Sequence, residues 1–170
     1  MAEPTRYYWD ACAWIAYIKK EMPADDPRIK EPRFEMCRRV LEQAQSREIE
    51  IVTSAFTLSE VCKNKSDPFG PGINLPAFFE QPYILLVSVD KQIGMKAQQL
   101  QLAGVSGLKP ADATHIASAL VWDIPIFHTF DGKLLDLDKS LSLNNGTQLR
   151  IMHPTSEDPQ GGLFTEPHNA

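Results

Sequence analysis

The chain has 170 residues, 43% of them hydrophobic and 23% charged, which is typical of one soluble globular domain with a sizeable core. A net charge of −5 argues against non-specific nucleic-acid binding through a basic surface, and three cysteines without a C-x-x-C pair argue against structural zinc and a disulfide framework. No window approaches the roughly 20 apolar residues of a membrane span. Residues 1–10 lack the pattern of a signal peptide, so we expect a cytoplasmic protein with no membrane partner.

Five short apolar segments, rich in β-branched and aromatic residues, predict strands. They lie near 7–9, 50–54, 83–89, 124–128 and 148–152. Segments with apolar residues at helical spacing lie between them, near 11–21, 33–46, 57–63, 91–103 and 110–120. This alternation predicts an α/β fold with a central parallel sheet of about five strands and helices on both faces.

Proline, glycine and polar residues mark the remaining segments. Residues 64–75 predict a loop, and 76–80 a helical turn. We expect a single domain over residues 1–152, followed by a polar tail, 153–170, that is disordered. Asp90 suits the cap of the helix that follows it, and Pro110 suits the first turn of the last long helix.

Four acids follow the predicted strands at comparable places. Asp10 comes directly after the first strand, Glu60 lies in the helix after the second, Asp112 lies in the first turn of a helix, and Asp131 follows the fourth strand. Each acid alone suits an ordinary role as a cap or first-turn charge, and Thr57 with Glu60 fits a capping box. Together, the four are predicted at the carboxyl edge of the sheet, where such folds bind ligands.

Clustered carboxylates repel one another, and their usual neutralising partner is a hard divalent cation. Mg²⁺ and Mn²⁺ are the cations that an all-carboxylate set favours. Such ions suit phosphodiester hydrolysis, because they activate water and stabilise the charge that develops on the phosphate. The four acids therefore predict a metal site for phosphodiester chemistry.

The segments that hold these acids resemble a known family. They read Y-W-D-A-C-A-W-I around Asp10, T-S-A-F-T-L-S-E-V around Glu60, P-A-D-A-T-H-I-A-S-A around Asp112 and H-T-F-D-G-K-L-L around Asp131. In order and spacing they resemble the PIN domain, the nuclease fold of the VapC-type toxins of bacterial toxin–antitoxin pairs, over roughly residues 7–152. The resemblance implies an Mg²⁺- or Mn²⁺-dependent endoribonuclease, with the first three acids as a catalytic triad and Asp131 as a fourth, more variable acid.

The same resemblance implies supporting residues and partners. Thr129 would support the site with its hydroxyl beside Asp131, and Ser54 occupies the polar position at the end of the second strand. The partners would be RNA, an antitoxin protein and a second copy of the chain in a homodimer. Candidate RNA contacts near the acidic edge are Lys63, Lys109, Lys133 and His115. For His115, a packed and hydrogen-bonded ring is at least as good an interpretation.

The chain departs from the family directly after Asp10. Ala11 and Cys12 stand where the family usually has small hydroxyl or amide residues that hydrogen-bond within the site. This motivates a second hypothesis, a catalytically weak or inactive PIN fold that binds RNA or protein as a regulator. A third hypothesis, a receiver- or phosphatase-like domain with Asp10 as phosphoacceptor, ranks last. Cys12 stands where such a phosphatase has its second Asp, and neither the acidic pair nor the lysine of a receiver is apparent.

Overall fold

A computed structural model of the protein describes residues 4–62, 74–105 and 107–157. The strands in these ranges are β1 (Thr5–Trp9), β2 (Ile49–Ser54), β3 (Ile84–Val87), β4 (Ile126–His128) and β5 (Arg150–Met152). The helices are α1 (Ala11–Ile18), α2 (Arg33–Gln45), α3 (Thr57–Glu60), α4 (Leu75–Phe79), α5 (Lys91–Leu102), α6 (Pro110–Val121) and α7 (Gly132–Leu135). Strands and helices alternate in the predicted order, so the predicted α/β class is confirmed.

The five strands form one parallel sheet in the order β3-β2-β1-β4-β5. β1 is central, with Tyr8 beside Val52 of β2 on one side and Phe127 of β4 on the other. The chain first builds the sheet outwards from β1 to β3, and then continues on the opposite side with β4. The strand order therefore reverses between β1 and β4, where folds of this type form a crevice at the carboxyl ends of the strands.

The side chains of β1 alternate between two cores. Tyr7 and Trp9 pack on the face that α1 and α2 cover, and Tyr8 packs on the face that α5 and α6 cover. All three side chains are buried. A strand that is buried on both faces is what a parallel sheet with two helical layers requires.

Aspartates that follow strands fix the starts of three helices. Asp10 caps α1, Asp90 caps α5 as predicted, and Asp131 caps α7, each by accepting backbone N–H hydrogen bonds. Pro110 begins α6, as its position predicts. These caps place Asp10 and Asp131 at the carboxyl ends of neighbouring strands, β1 and β4.

The predicted helix over 57–63 is only partly correct, and its predicted capping box is absent. α3 has four residues, no side chain caps its start, and Thr57 Oγ1 lies 2.8 Å from Thr53 Oγ1 instead of capping the helix. Glu60 binds His115 rather than the helix start. The capping-box prediction is therefore wrong, because Thr53 at the end of β2 bonds to Thr57 and His115 of α6 bonds to Glu60. α1 also ends three residues early, since Lys20 adopts a positive φ of 54°.

The predicted loop and tail fall largely outside the described ranges. Residues 63–73 and 158–170 are not described, so the loop over 64–75 and the disorder of the tail stay predictions. Of the tail, Ser156 accepts a hydrogen bond of 3.0 Å from Gln43 Nε2 of α2. The helical turn predicted at 76–80 is α4. No helix in the described part of the chain is long and apolar enough to cross a membrane.

Candidate active site

Asp10 lies at the reversal point of the sheet and is only 3% exposed. Its Oδ1 accepts a 3.0 Å hydrogen bond from Ala13 N, and its Oδ2 accepts a 2.5 Å hydrogen bond from Thr129 Oγ1. Burial raises the pKa of Asp10 to about 6, although His115 and the two hydrogen bonds oppose the rise. The carboxylate of Asp131 raises this pKa further. Asp10 is thus a buried acid that its surroundings only partly stabilise in the charged form.

Thr129 joins the ends of β1 and β4. Its side chain is fully buried, and its hydroxyl donates to Asp10 while accepting a 2.9 Å hydrogen bond from Asp131 N. Asp131 in turn accepts from Lys133 N at 2.8 Å and from Leu134 N at 3.4 Å. One hydroxyl therefore sets the spacing between the first and fourth of the predicted acids.

Glu60 lies at the end of α3 and is 7% exposed. Its Oε2 is 2.5 Å from His115 Nε2, and His115 Nδ1 is 2.8 Å from the Tyr8 hydroxyl. The Tyr8 oxygen also accepts a 3.1 Å hydrogen bond from Ser54 N. His115 is 2% exposed and both of its ring nitrogens are bonded, so it is the packed histidine of the two interpretations. A direct RNA contact by this ring does not fit the arrangement.

Asp112 lies in the first turn of α6, one turn before His115, and is half-buried. Desolvation raises the pKa of Asp112, and the carboxylate of Asp131 raises it further, while Lys109 opposes the rise. Desolvation also raises the pKa of the Cys12 thiol, and all four acids add to that rise. The four carboxylates therefore share one electrostatic neighbourhood around Cys12.

The chemistry of these donors fits a hard divalent cation, while their present spacing is not a coordination shell. Among the described residues, no three His, Cys, Asp or Glu side chains stand close enough together to hold a metal ion. The carboxylate of Asp131 nevertheless raises the pKa of both Asp10 and Asp112. Within the same residues, no lysine or arginine forms an ion pair with Asp10, Asp112 or Asp131. The repulsion is one that Mg²⁺ or Mn²⁺ relieves.

The other predicted site residues are Ser54 and three lysines. Ser54 is buried, and its hydroxyl accepts a 3.0 Å hydrogen bond from Phe56 N, so it supports the turn into α3 rather than an acid directly. Lys109 and Lys133 are exposed, and the end of the Lys133 side chain lies beside Gly107, close to the start of α6. Lys63 lies outside the described residues.

Two aromatic residues of the site were not among the predicted ones. Tyr8 was assigned only to a strand, although a tyrosine in a buried strand needs a partner for its hydroxyl, which is the signal that points to it. Phe56 is 36% exposed, and its ring centroid lies 6.0 Å from that of His115. No pattern in the sequence distinguishes Phe56 from a core residue.

A parallel α/β domain with acids gathered where its strand order reverses belongs to the class of folds that bind ligands at that crevice. The PIN domain family matches residues 7–140, a range that contains all four acids. The chain therefore belongs to the PIN domain family, a family of nucleases.

The structural comparison agrees with this assignment. The fold is similar to that of VapC20 from Mycobacterium tuberculosis, described as a sarcin–ricin loop cleaving toxin. The TM-score is 0.56 at 17% sequence identity, over 74% of this chain and 90% of VapC20. Comparison with curated proteins found no match.

Proposed function

We propose that the protein is a metal-dependent endoribonuclease. The observation that carries the proposal is the placement of four acids in one electrostatic neighbourhood at the carboxyl edge of the sheet, in a chain of the PIN domain family. Asp10, Glu60, Asp112 and Asp131 would hold Mg²⁺ or Mn²⁺. When bound, the ion would activate a water and stabilise the charge on the phosphate.

The chain's own residues then supply the geometry. Thr129 holds Asp10 at 2.5 Å and the backbone of Asp131 at 2.9 Å, so these acids keep a fixed separation. Lys109 and Lys133 are exposed cations near the start of α6, where they would contact the RNA backbone. Lys63 stays a further candidate for such a contact.

The biological role that we propose is that of a toxin in a toxin–antitoxin pair. Its support is the family together with the fold of VapC20, which is itself described as a toxin that cleaves the sarcin–ricin loop. Partners would then be RNA, an antitoxin protein and a second copy of the chain. The protein would act in the cytoplasm, where its RNA is.

A cleavage assay with matched aspartate variants tests the proposed activity. Asp10→Asn and Asp112→Asn are expected to lose cleavage of total RNA by at least about 100-fold, the upper end of what the loss of a supporting contact causes. Chelation of the metal is expected to abolish wild-type cleavage, and Mn²⁺ or Mg²⁺ to restore it.

The matched control is Asp90→Asn. Asp90 also caps a helix after a strand, through the same 3.0 Å bond from N–H to Oδ1, but on the edge strand β3. Asparagine retains the caps that Asp10 and Asp90 form, and Asp112 caps no helix, so circular dichroism is expected to show folded protein in every variant. Cleavage at the wild-type rate by Asp10→Asn or Asp112→Asn would refute the assignment of these acids.

One observation favours a second candidate, a PIN fold that binds RNA or protein without turnover. Both oxygens of Asp10 accept hydrogen bonds from the protein, and Ala11 and Cys12 offer no hydroxyl or amide to orient this acid. This candidate predicts RNA retention in a filter-binding assay without metal-dependent cleavage. Cleavage that Mn²⁺ restores after chelation would exclude it.

A further inference from the structure

Glu60 is held by contacts that its own helix does not provide. α3 is a single turn of four residues, and no side chain caps its start. One turn alone is not a stable helix, because its hydrogen bonds do not offset the cost of ordering it. Contacts from other elements therefore help to orient the Glu60 carboxylate. One of them is the 2.5 Å hydrogen bond to His115 Nε2.

The protons in this hydrogen-bond chain follow from its chemistry. Ser54 N–H can only donate, so the Tyr8 oxygen accepts from it at 3.1 Å. Burial raises the pKa of the Tyr8 phenol, so this hydroxyl keeps its proton, and its oxygen lies 2.8 Å from His115 Nδ1. A carboxylate oxygen can only accept, so His115 Nε2 carries the proton of its hydrogen bond to Glu60.

The imidazole itself is held rigidly. Tyr8 is fully buried and stacks on Phe127 with ring centroids 5.0 Å apart and an interplanar angle of 15°. The ring of Phe56 lies near His115, with centroids 6.0 Å apart. A fixed ring N–H donor orients the carboxylate that it binds.

We propose that His115 is a positioning residue that orients Glu60 for the metal site, and that Tyr8 holds the His115 ring in place through the hydrogen bond at Nδ1. The proposal rests on the metal-dependent function proposed above. Helix α6 then positions two of the acids, since it carries Asp112 and, one turn later, the donor that binds Glu60. Tyr8 and His115 are 107 positions apart in the chain and meet through the sheet.

The first measurement is the protonation of the His115 ring nitrogens in the metal-free, full-length protein, from their ¹⁵N signals. We expect a protonated, hydrogen-bonded Nε2 in the wild type, and loss of this fixed signal in Tyr8→Phe. An unprotonated Nε2 in the wild type would overturn the positioning role, since the ring would then have no proton to donate to Glu60.

The second measurement is the affinity for Mn²⁺ by isothermal titration calorimetry. His115→Leu is expected to bind Mn²⁺ roughly 10- to 100-fold more weakly than the wild type, the range for residues that orient metal ligands. His115→Gln keeps a side-chain N–H donor and is expected to recover much of the affinity. The control is Thr114→Val, which removes a 2.8 Å hydrogen bond to Pro110 O on the same helix without touching Glu60. It is expected to bind as the wild type does.

The outcomes separate this proposal from the proposed function. Wild-type affinity in a folded His115→Leu variant would refute the positioning role and leave the metal-dependent nuclease standing. If His115→Leu does not fold, equal losses of affinity in folded His115→Gln and Thr114→Val would refute the role instead. Absence of Mn²⁺ binding by the wild type itself would overturn the proposed function, and with it the role of His115.

Discussion

Replacing Asp10 with asparagine is expected to stabilise the metal-free protein at pH 8. The asparagine can still accept the cap hydrogen bond from Ala13 N, and its amide can donate to Thr129 Oγ1 in place of accepting from it. What the substitution removes is a negative charge on a side chain that is 3% exposed. The variant therefore reports the cost of holding that charge in a buried site.

The size of the effect follows from the raised pKa of Asp10. A rise from 3.8 to about 6 corresponds to about 3 kcal/mol of destabilisation above pH 6, at 1.36 kcal/mol per pKa unit. At neutral pH the Asp10 charge lowers the free energy of unfolding, since Asp10 holds its proton more tightly in the folded state than in the unfolded chain. The penalty disappears as the pH falls from 6 towards 3.8, where Asp10 is protonated in both states.

Urea denaturation in the presence of a chelator, at several pH values, measures this effect. Asp10→Asn is expected to exceed the wild type by about 3 kcal/mol at pH 8, which is roughly 6 to 12 °C in Tm for a protein of this size. The excess is expected to shrink between pH 6 and pH 4. Added Mn²⁺ is expected to stabilise the wild type alone, because ligand binding stabilises only the protein that binds it. A variant less stable than the wild type at pH 8, or an excess independent of pH, would refute the reasoning.

Three further expectations follow from the same region. Thr129→Val should lose roughly 1 to 3 kcal/mol of stability by leaving the N–H of Asp131 without its acceptor, while Thr129→Ser should keep most of it; thermal denaturation compares the two. Burial lowers the pKa of His128 to about 3, so stability should fall as the pH drops below 6.5, where only the unfolded chain takes up the proton; His128→Phe should remove about 1.4 kcal/mol per pH unit from that slope in urea titrations, and an unchanged slope would contradict the assignment. Desolvation and the four acids raise the pKa of Cys12, so at pH 8 iodoacetamide should modify it more slowly than Cys62, although both residues are exposed; mass spectrometry of peptides compares the two.

Local patterns were enough to predict the architecture. The alternation of strands and helices predicted the parallel sheet, because parallel strands need crossover helices. Asp90 and Pro110 lie where the sequence placed them, since caps and first-turn prolines depend only on neighbouring residues. The same dependence on neighbours placed Asp10 and Asp131 after two strands, whose carboxyl ends meet at one edge of a parallel sheet.

Contacts between different elements of the fold could not be predicted in this way. Thr57 was expected to cap α3, but Thr53 on the preceding strand offers its hydroxyl a buried partner. The choice between the two interpretations of His115 depended on Tyr8, which reaches it only because β1 lies between β2 and β4. No local pattern encodes that strand order. The sequence therefore predicted where the acids lie, and left open what holds Glu60 among them.

The energetics of Asp10 favour a functional interpretation over that of a simple helix cap. A cap needs one side-chain oxygen that accepts a backbone N–H, and asparagine supplies it as well as aspartate does. The cap does not require the negative charge, and in this buried site the charge has a net cost of about 3 kcal/mol above pH 6. Thr129 and the N–H of Ala13 offset only part of this cost, since the pKa of Asp10 stays raised despite both. A charge that the metal-free fold does not need, beside three further acids, would be accounted for by the cation that we propose binds there.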